Sequence, residues 1–279
     1  MVDVRYREYK ILLRADKFFA ASQFQAFWEI AASIAEKNKV KVTTNKDGFH
    51  RLVREVLFYD TPNFDLYRNA FILRKRTFYE DGWPRNDHEL TVKFRHTDLE
   101  KAAAADMSPR IIHGLTKIKF KEELLPLKDQ LGGMRSLYSH NCVLTSPNIV
   151  LNQGLENIAQ VFPPMANIDI HPQSSIHLVN NVAVEEIQVN AGSFDFGHGL
   201  AANATVAIWR NRASETSLIG EFAFQAKFKS YDAVHVKAKE RADHFYRAVQ
   251  MNAPDWVALG TTKTAMVYGI GNSGPQLEE

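Results

Sequence analysis

The stretch Glu221-Phe222-Ala223-Phe224-Gln225-Ala226-Lys227-Phe228-Lys229 alternates with a period of two. Residues 222, 224, 226 and 228 are apolar, and on the other parity only Ala223 interrupts a polar or charged series. Successive side chains of a strand point to opposite faces, so this segment must bury one face and give the other to water or an ion. A single such strand would be an ordinary outer sheet face. Here the pattern recurs: Glu8 shares a face with Lys10, Arg74 with Arg76, Lys93 with Arg95, Lys119 with Lys121, and Glu221 with Lys227. Several strands separated by turns, with few helices, predict an α+β chain built on an antiparallel sheet or barrel. If the sheet closes with these faces inward, the lumen gathers like charges, which is costly unless an anion fills it. A polyphosphate suits such a lumen, because Arg and Lys make charge-assisted bonds to phosphate oxygens.

The rest of the chain punctuates this pattern. Strands are predicted at 8–13, 53–59, 116–123, 176–189, 204–210 and 220–229, with a hairpin from 71–78 and 88–95 around Asp81-Gly82-Trp83-Pro84. Apolar residues at helical spacing predict helices over 16–35, with Phe19, Phe24, Phe27, Trp28, Ala31 and Ile34, and over about 231–251, with Val234, Ala238, Ala242, Phe245 and Val249. Residues 97–115 are Ala-rich and irregular. The stretch 126–175, with Gly132-Gly133, Pro147 and a short helical pattern at 153–161, reads as an insertion, and 271–279 as a flexible tail.

Composition narrows the class. The chain has 279 residues, 45% apolar and 24% charged, one cysteine and a formal charge of +2, which excludes fibrous, disordered and disulfide-stapled proteins. That near-neutral total conceals an asymmetry. Residues 1–121 hold 23 Lys or Arg against 16 Asp or Glu, and residues 122–279 hold 11 against 16. A basic half suggests an anionic ligand. Cys142 reads as a small semi-buried side chain in a reducing compartment, not as a nucleophile. With no leader-like start and no run of ~18 apolar residues, the chain is expected in the cytoplasm, without a membrane partner. The scattered histidines offer no transition-metal spacing, and no basic surface run points to nucleic acid.

Glu8-x-Lys10, Phe58-Tyr59-Asp60-Thr61-Pro62-Asn63-Phe64-Asp65-Leu66, Ile72-Leu73-Arg74-Lys75-Arg76 and Leu90-Thr91-Val92-Lys93 together resemble, in order and spacing, the CYTH family of triphosphate tunnel metalloenzymes. Weaker similarity continues through 119–123, 184–193, 220–229 and 262–266. The resemblance implies one tunnel domain over 1–270: an eight-stranded antiparallel β-barrel with flanking helices. It also implies a triphosphate-containing small molecule as partner and Mg²⁺ or Mn²⁺ as cofactor. It places Lys10, Arg74, Arg76, Lys93 and Lys227 among the phosphate-binding cations, and Glu8 and Glu221 among catalytic, metal-binding carboxylates. Parity alone adds Arg54, Lys121 and Arg210 to the substrate-binding candidates, while Glu123 and Glu186 complete the metal candidates with Glu8 and Glu221.

The departures from the family pattern are acidic positions that have become neutral. The first carboxylate of the opening strand is Tyr6, the late strand has Ala223 and Gln225 where the family alternates glutamates, and Asn190 stands for an aspartate. Two function classes follow. In the first, the chain is a metal-dependent hydrolase of an inorganic or organic triphosphate, with adenylate cyclisation as a related chemistry. In the second, it is a module that binds a polyphosphate or nucleotide without catalysis, its lumen made more positive by the lost carboxylates. Metal dependence separates the two.

Overall fold

The computed structural model describes residues 3–110, 115–147, 154–168, 170–171 and 173–271. In chain order the elements are β1 (Tyr6–Leu13), α1 (Gln23–Lys37), β2 (Lys41–Thr44), β3 (Leu52–Asp60), α2 (Asp65–Arg68), β4 (Phe71–Glu80), β5 (Trp83–His96) and α3 (Leu99–Ala104). They continue with β6 (Leu115–Leu125), β7 (Arg135–Ser146), α4 (Leu155–Val161), β8 (His177–Asp195), β9 (Ala201–Asn211), β10 (Ser217–Lys227), α5 (Val236–Asn252) and α6 (Lys263–Tyr268). The sheet runs β2-β8-β3-β4-β5-β7-β6-β1-β10-β9, and β9 pairs back onto β8. Nine strands therefore close a barrel, and β2 lies outside the ring on β8.

The barrel thus has nine strands where the resemblance implies eight, and it is not wholly antiparallel, because β1 and β6 pair in parallel. Two strands are absent from the sequence expectations: β2, outside the ring, and β7, which fills the gap between β5 and β6. Strand β7 lies within 126–175, so part of that stretch is barrel wall. Its buried Ser139, His140 and Asn141 are polar but carry no formal charge, so β7 lacks the cation alternation that marks its neighbours. The tail expected at 271–279 lies, after Gly271, outside the described residues.

Strand periodicity divides the side chains into two environments. On the outer face, α1 and α5 bury the apolar parity of β1, β9 and β10: Tyr9 stacks on Phe224 with ring centroids 4.5 Å apart, and Phe27 meets Phe222. Phe19 falls in the turn before α1, and it is 80% exposed rather than part of the helix face. Cys142 is fully buried on the outer side of β7, where burial pushes its thiol up to about 11, which keeps it unreactive.

Inside the barrel, the inward parity ends in an apolar floor of Leu12, Val56, Phe58, Ile72, Val184 and Trp209, on which Val267 and Tyr268 of α6 are seated. Asp60 ties this end together. It accepts hydrogen bonds from the backbone N–H of Thr61, Leu66 and Tyr67 (2.7, 2.8 and 2.9 Å) and from the Tyr268 hydroxyl (3.0 Å). The Tyr-Asp-Thr-Pro turn is therefore a structural clasp between the end of β3, α2 and α6.

The β4–β5 hairpin turns on Asp81 and Gly82, both at positive φ (50° and 82°), the two-residue geometry that matches strand twist. Gly192, where β8 meets β2, has no room for a side chain: a Cβ would fall 2.2 Å from the Thr43 carbonyl oxygen and 2.6 Å from the Trp28 ring. Gly192→Ala is therefore expected to lower stability by about 1–3 kcal/mol. Urea denaturation checks this, and an unchanged midpoint would show that β2 and Trp28 yield freely.

Candidate functional site

The inward parity above the floor encloses a cavity of about 240 Å³. Nine cations line it: Lys10 from β1, Arg54 from β3, Arg74 and Arg76 from β4, Lys93 and Arg95 from β5, Lys119 and Lys121 from β6, and Lys263 from α6. Four carboxylates face them, namely Glu8, Glu123, Glu186 and Glu221. The cavity thus carries an excess of five formal positive charges. All but one of these cations come from residues 1–121, so the charge asymmetry of the sequence has become a tunnel lining.

The ion pairs form two groups. Beside β1 and β6, Lys10 reaches Glu8 (3.1 Å) and Glu123 (3.3 Å), Lys121 reaches Glu8 (3.0 Å), and Lys93 and Arg95 reach Glu123 (2.5 and 3.6 Å). Across the lumen, Glu186 takes Arg54 (2.8 Å), Arg76 (3.6 Å) and Lys263 (3.5 Å), while Lys263 also reaches Glu221 (2.6 Å). Arg54 further donates to the Gln188 side chain. Glu123 and Glu186 are each 1% exposed. Burial alone would raise these two carboxyls and Glu8, but the surrounding cations outweigh it and hold all three well below the usual carboxylate range.

Arg74 differs from its neighbours. It has no carboxylate within ion-pair distance among the described residues, and its one side-chain hydrogen bond is a long one, 3.5 Å to the Thr91 hydroxyl. Its Nε and that of Arg76 are buried donors without a hydrogen-bond partner. Burial, reinforced by the nearby Arg76, pushes the Arg74 guanidinium down to about 9. Lys93 is pushed well below its ordinary value by burial and Arg95, despite its contact with Glu123. Burial and Lys121 bring Lys119 down to about 8. These cations are held together against their mutual repulsion, an arrangement that an entering anion would relieve.

The structure brings together Lys10, Arg54, Arg74, Arg76, Lys93, Lys121, Glu8, Glu123, Glu186 and Glu221 as the sequence predicts. It does not bring in Arg210, which points outward from β9 and pairs with Glu185 at 2.9 Å, because Trp209 occupies the inward parity. Lys227 lies outside the cavity lining, exposed at the end of β10, with its ammonium 5.9 Å from the centre of the Tyr6 ring. Lys119 and Lys121 flank the same ring at 5.7 and 6.0 Å, so three lysines surround Tyr6, the position where the sequence resemblance expects a carboxylate.

Arg95, Lys119 and Lys263 are cavity residues that were not assigned a role from sequence. The first two carry the alternation signal. Lys263 carries none, because it enters from a helix: the Thr262 hydroxyl accepts from the Ala265 N–H at 3.1 Å, starting α6 so that Lys263 heads its first turn above the Trp209 ring.

The implied Mg²⁺ or Mn²⁺ can be tested against this donor set. Hard divalent cations require several oxygen ligands around one point. The four glutamates instead form two pairs, each already spanned by an ammonium, and no group of three acidic, histidine or cysteine side chains converges among the described residues. Tyr6, Ala223 and Gln225 supply no further carboxylate on the facing strands. The donor set does not fit a resident divalent cation.

No protein-family profile matches the chain, and no curated protein matches it. Among solved structures, it is similar to a Hippeastrum protein described as a proposed adenylyl cyclase with dominant triphosphatase activity, with 10% identity, 95% of both chains covered and a TM-score of 0.45. It is also similar to a Bacillus halodurans protein described as a proposed adenylate cyclase, with 9% identity over 94% of this chain and 97% of that one and a TM-score of 0.40. A Pyrococcus horikoshii protein matches at 10% identity over 93% and 98% of the two chains, with a TM-score of 0.36. No helix among the described residues is long and apolar enough to cross a membrane.

Proposed function

We propose that this protein binds a triphosphate group, free or at the end of a small organic molecule, inside the β-barrel. The observation that carries the reading is the lining itself: nine inward cations against four carboxylates, with no carboxylate at ion-pair distance from Arg74 among the described residues. An elongated polyanion can accept charge-assisted hydrogen bonds from cations on several strands at once, whereas a single phosphate reaches only part of the wall. The carboxylates act as internal counter-ions that hold the lysines in place before the ligand arrives.

Hydrolysis of the bound triphosphate is the second reading, and Arg74 favours it. A guanidinium in the lining with no carboxylate at ion-pair distance among the described residues can offset charge that develops on a transferring phosphoryl group.

Calorimetric titration of tripolyphosphate, pyrophosphate and orthophosphate tests the binding. Affinity should fall in that order and decline steeply with added salt. Equal affinity for all three would contradict the proposal. A parallel assay for released phosphate decides the second reading.

The titration also has a definite pH dependence. Lys119, pushed down to about 8, is charged below that value and becomes neutral above it in the empty tunnel. Triphosphate affinity should therefore be highest below pH 8 and fall as pH rises through 8 to 9. Near pH 8.5 binding should take up protons, which is detected as a dependence of the binding heat on the buffer's ionisation enthalpy. A pH-independent affinity across this window would remove Lys119 from the site.

A further inference from the structure

We propose that two lysine ammoniums are the resident counter-cations of the tunnel, so that it receives the free triphosphate anion rather than a magnesium complex of it. This inference rests on the triphosphate reading above and specifies the form in which the ligand binds.

The geometry is the same at two places. Lys10 Nζ lies 3.1 Å from Glu8 and 3.3 Å from Glu123, and these two glutamates face each other across the parallel β1–β6 pairing. Lys263 Nζ lies 2.6 Å from Glu221 on β10 and 3.5 Å from Glu186 on β8. Each ammonium therefore sits between carboxylates of two different strands, where a divalent ion would have to lie to bind both. Neither lysine is a loose surface chain: their side chains are 17% and 16% exposed, and Lys263 is further held 4.6 Å from the centre of the Trp209 ring. To admit Mg²⁺, an ammonium must be displaced and additional oxygens found. One neutral candidate, the Gln225 amide oxygen, already accepts from Lys121 at 2.7 Å.

Charge balance points the same way. The cavity has five more cations than carboxylates. A free triphosphate carries roughly four to five negative charges near neutral pH, since the second ionisation of a terminal phosphate lies near pH 6. The free anion therefore nearly neutralises the lining. A bound Mg²⁺ would cancel two of those charges and leave buried cations without partners.

The test is calorimetric titration of tripolyphosphate into the wild-type protein in EDTA and in excess Mg²⁺ at matched ionic strength. Binding should be present in EDTA, with apparent affinity about tenfold lower in Mg²⁺. Binding that appears only with Mg²⁺ overturns the lysine proposal and leaves the triphosphate reading intact. No binding under either condition overturns the triphosphate reading itself. Lys263→Met and Lys10→Met, each checked for folding by circular dichroism, assign the effect to the ammoniums. Either substitution frees a glutamate pair for a divalent ion, so the advantage of EDTA over Mg²⁺ should shrink. An unchanged ratio in both folded variants contradicts the proposal.

Discussion

Arg74→Met is expected to weaken triphosphate binding by roughly a hundredfold while raising the melting temperature of the unliganded protein. The two effects have one cause. Arg74 is half-buried with its Nε fully enclosed, has no carboxylate at ion-pair distance among the described residues, and is held down to about 9 by desolvation and by Arg76. Because a guanidinium keeps its proton near neutral pH, the unfavourable charge is present in the empty barrel. A cation whose folded-state value is depressed destabilises the fold at every pH below that value, so pH 7 lies within the window of full penalty. Methionine keeps an unbranched apolar stem of similar reach and removes the charge. Once a triphosphate is bound, the same charge becomes favourable. Truncating one partner of a buried, hydrogen-bonded charge pair typically costs 2–5 kcal/mol, and a hundredfold loss corresponds to about 2.7 kcal/mol. Thermal melts with and without tripolyphosphate, combined with calorimetry, check both halves. A variant that loses apo stability and keeps its affinity would show that Arg74 is structural.

The second large effect is expected at Asp60, which lies far from the ligand but beneath it. Asp60→Ala should destabilise the protein by about 3 kcal/mol, because it leaves three backbone N–H groups and the Tyr268 hydroxyl without their acceptor. Tyr268 is fully buried and stacks on Tyr67 with ring centroids 4.1 Å apart, so losing the clasp loosens α6 from the floor of the barrel. Lys263, at the other end of α6, is then less firmly held between Glu186 and Glu221. The variant should therefore show both a lower urea midpoint and a weaker triphosphate affinity. A drop in stability with unchanged affinity would mean that α6 does not help to position the tunnel wall.

The parts of this site that were legible in the sequence are those where physics writes a simple period. In β1, β4, β5 and β6, long cations or carboxylates recur at successive inward positions, because inward positions repeat with the pleat. Glu8 and Lys10, Arg74 and Arg76, and Lys93 and Arg95 all follow that rule. The parts that were not legible break the period. In β9, Val206 and Ile208 bury into the outer core while Trp209 fills the lumen floor, so both faces are apolar and the inward parity cannot be read. Arg210 therefore lies on the outer side, paired with Glu185, and not in the lumen where the parity reading expects it. In β7 the inward Ser139 and Asn141 are neutral, so the ninth strand left no charge signal. Lys263 arrives on a short helix whose direction depends on the Asp60 clasp and the apolar floor, which are long-range features.

Metal binding shows how local and tertiary information differ. Glu8, Glu123, Glu186 and Glu221 do face the lumen, as their parity requires, yet tertiary placement puts a lysine between each pair. The neutral residues at Tyr6, Ala223 and Gln225 remove the further carboxylates that could have drawn a divalent ion in. Sequence identifies the carboxylates, but which cation they hold is decided by packing.

The most direct measurement is a crystal structure of the protein grown with tripolyphosphate. The account predicts an extended anion inside the barrel, with its phosphate oxygens bonded to Arg74, Arg76 and Lys93, and with Lys10 and Lys263 still beside their glutamates. An anion found only on the outer surface, with the lumen cations unchanged and Arg74 still without a partner, would contradict it.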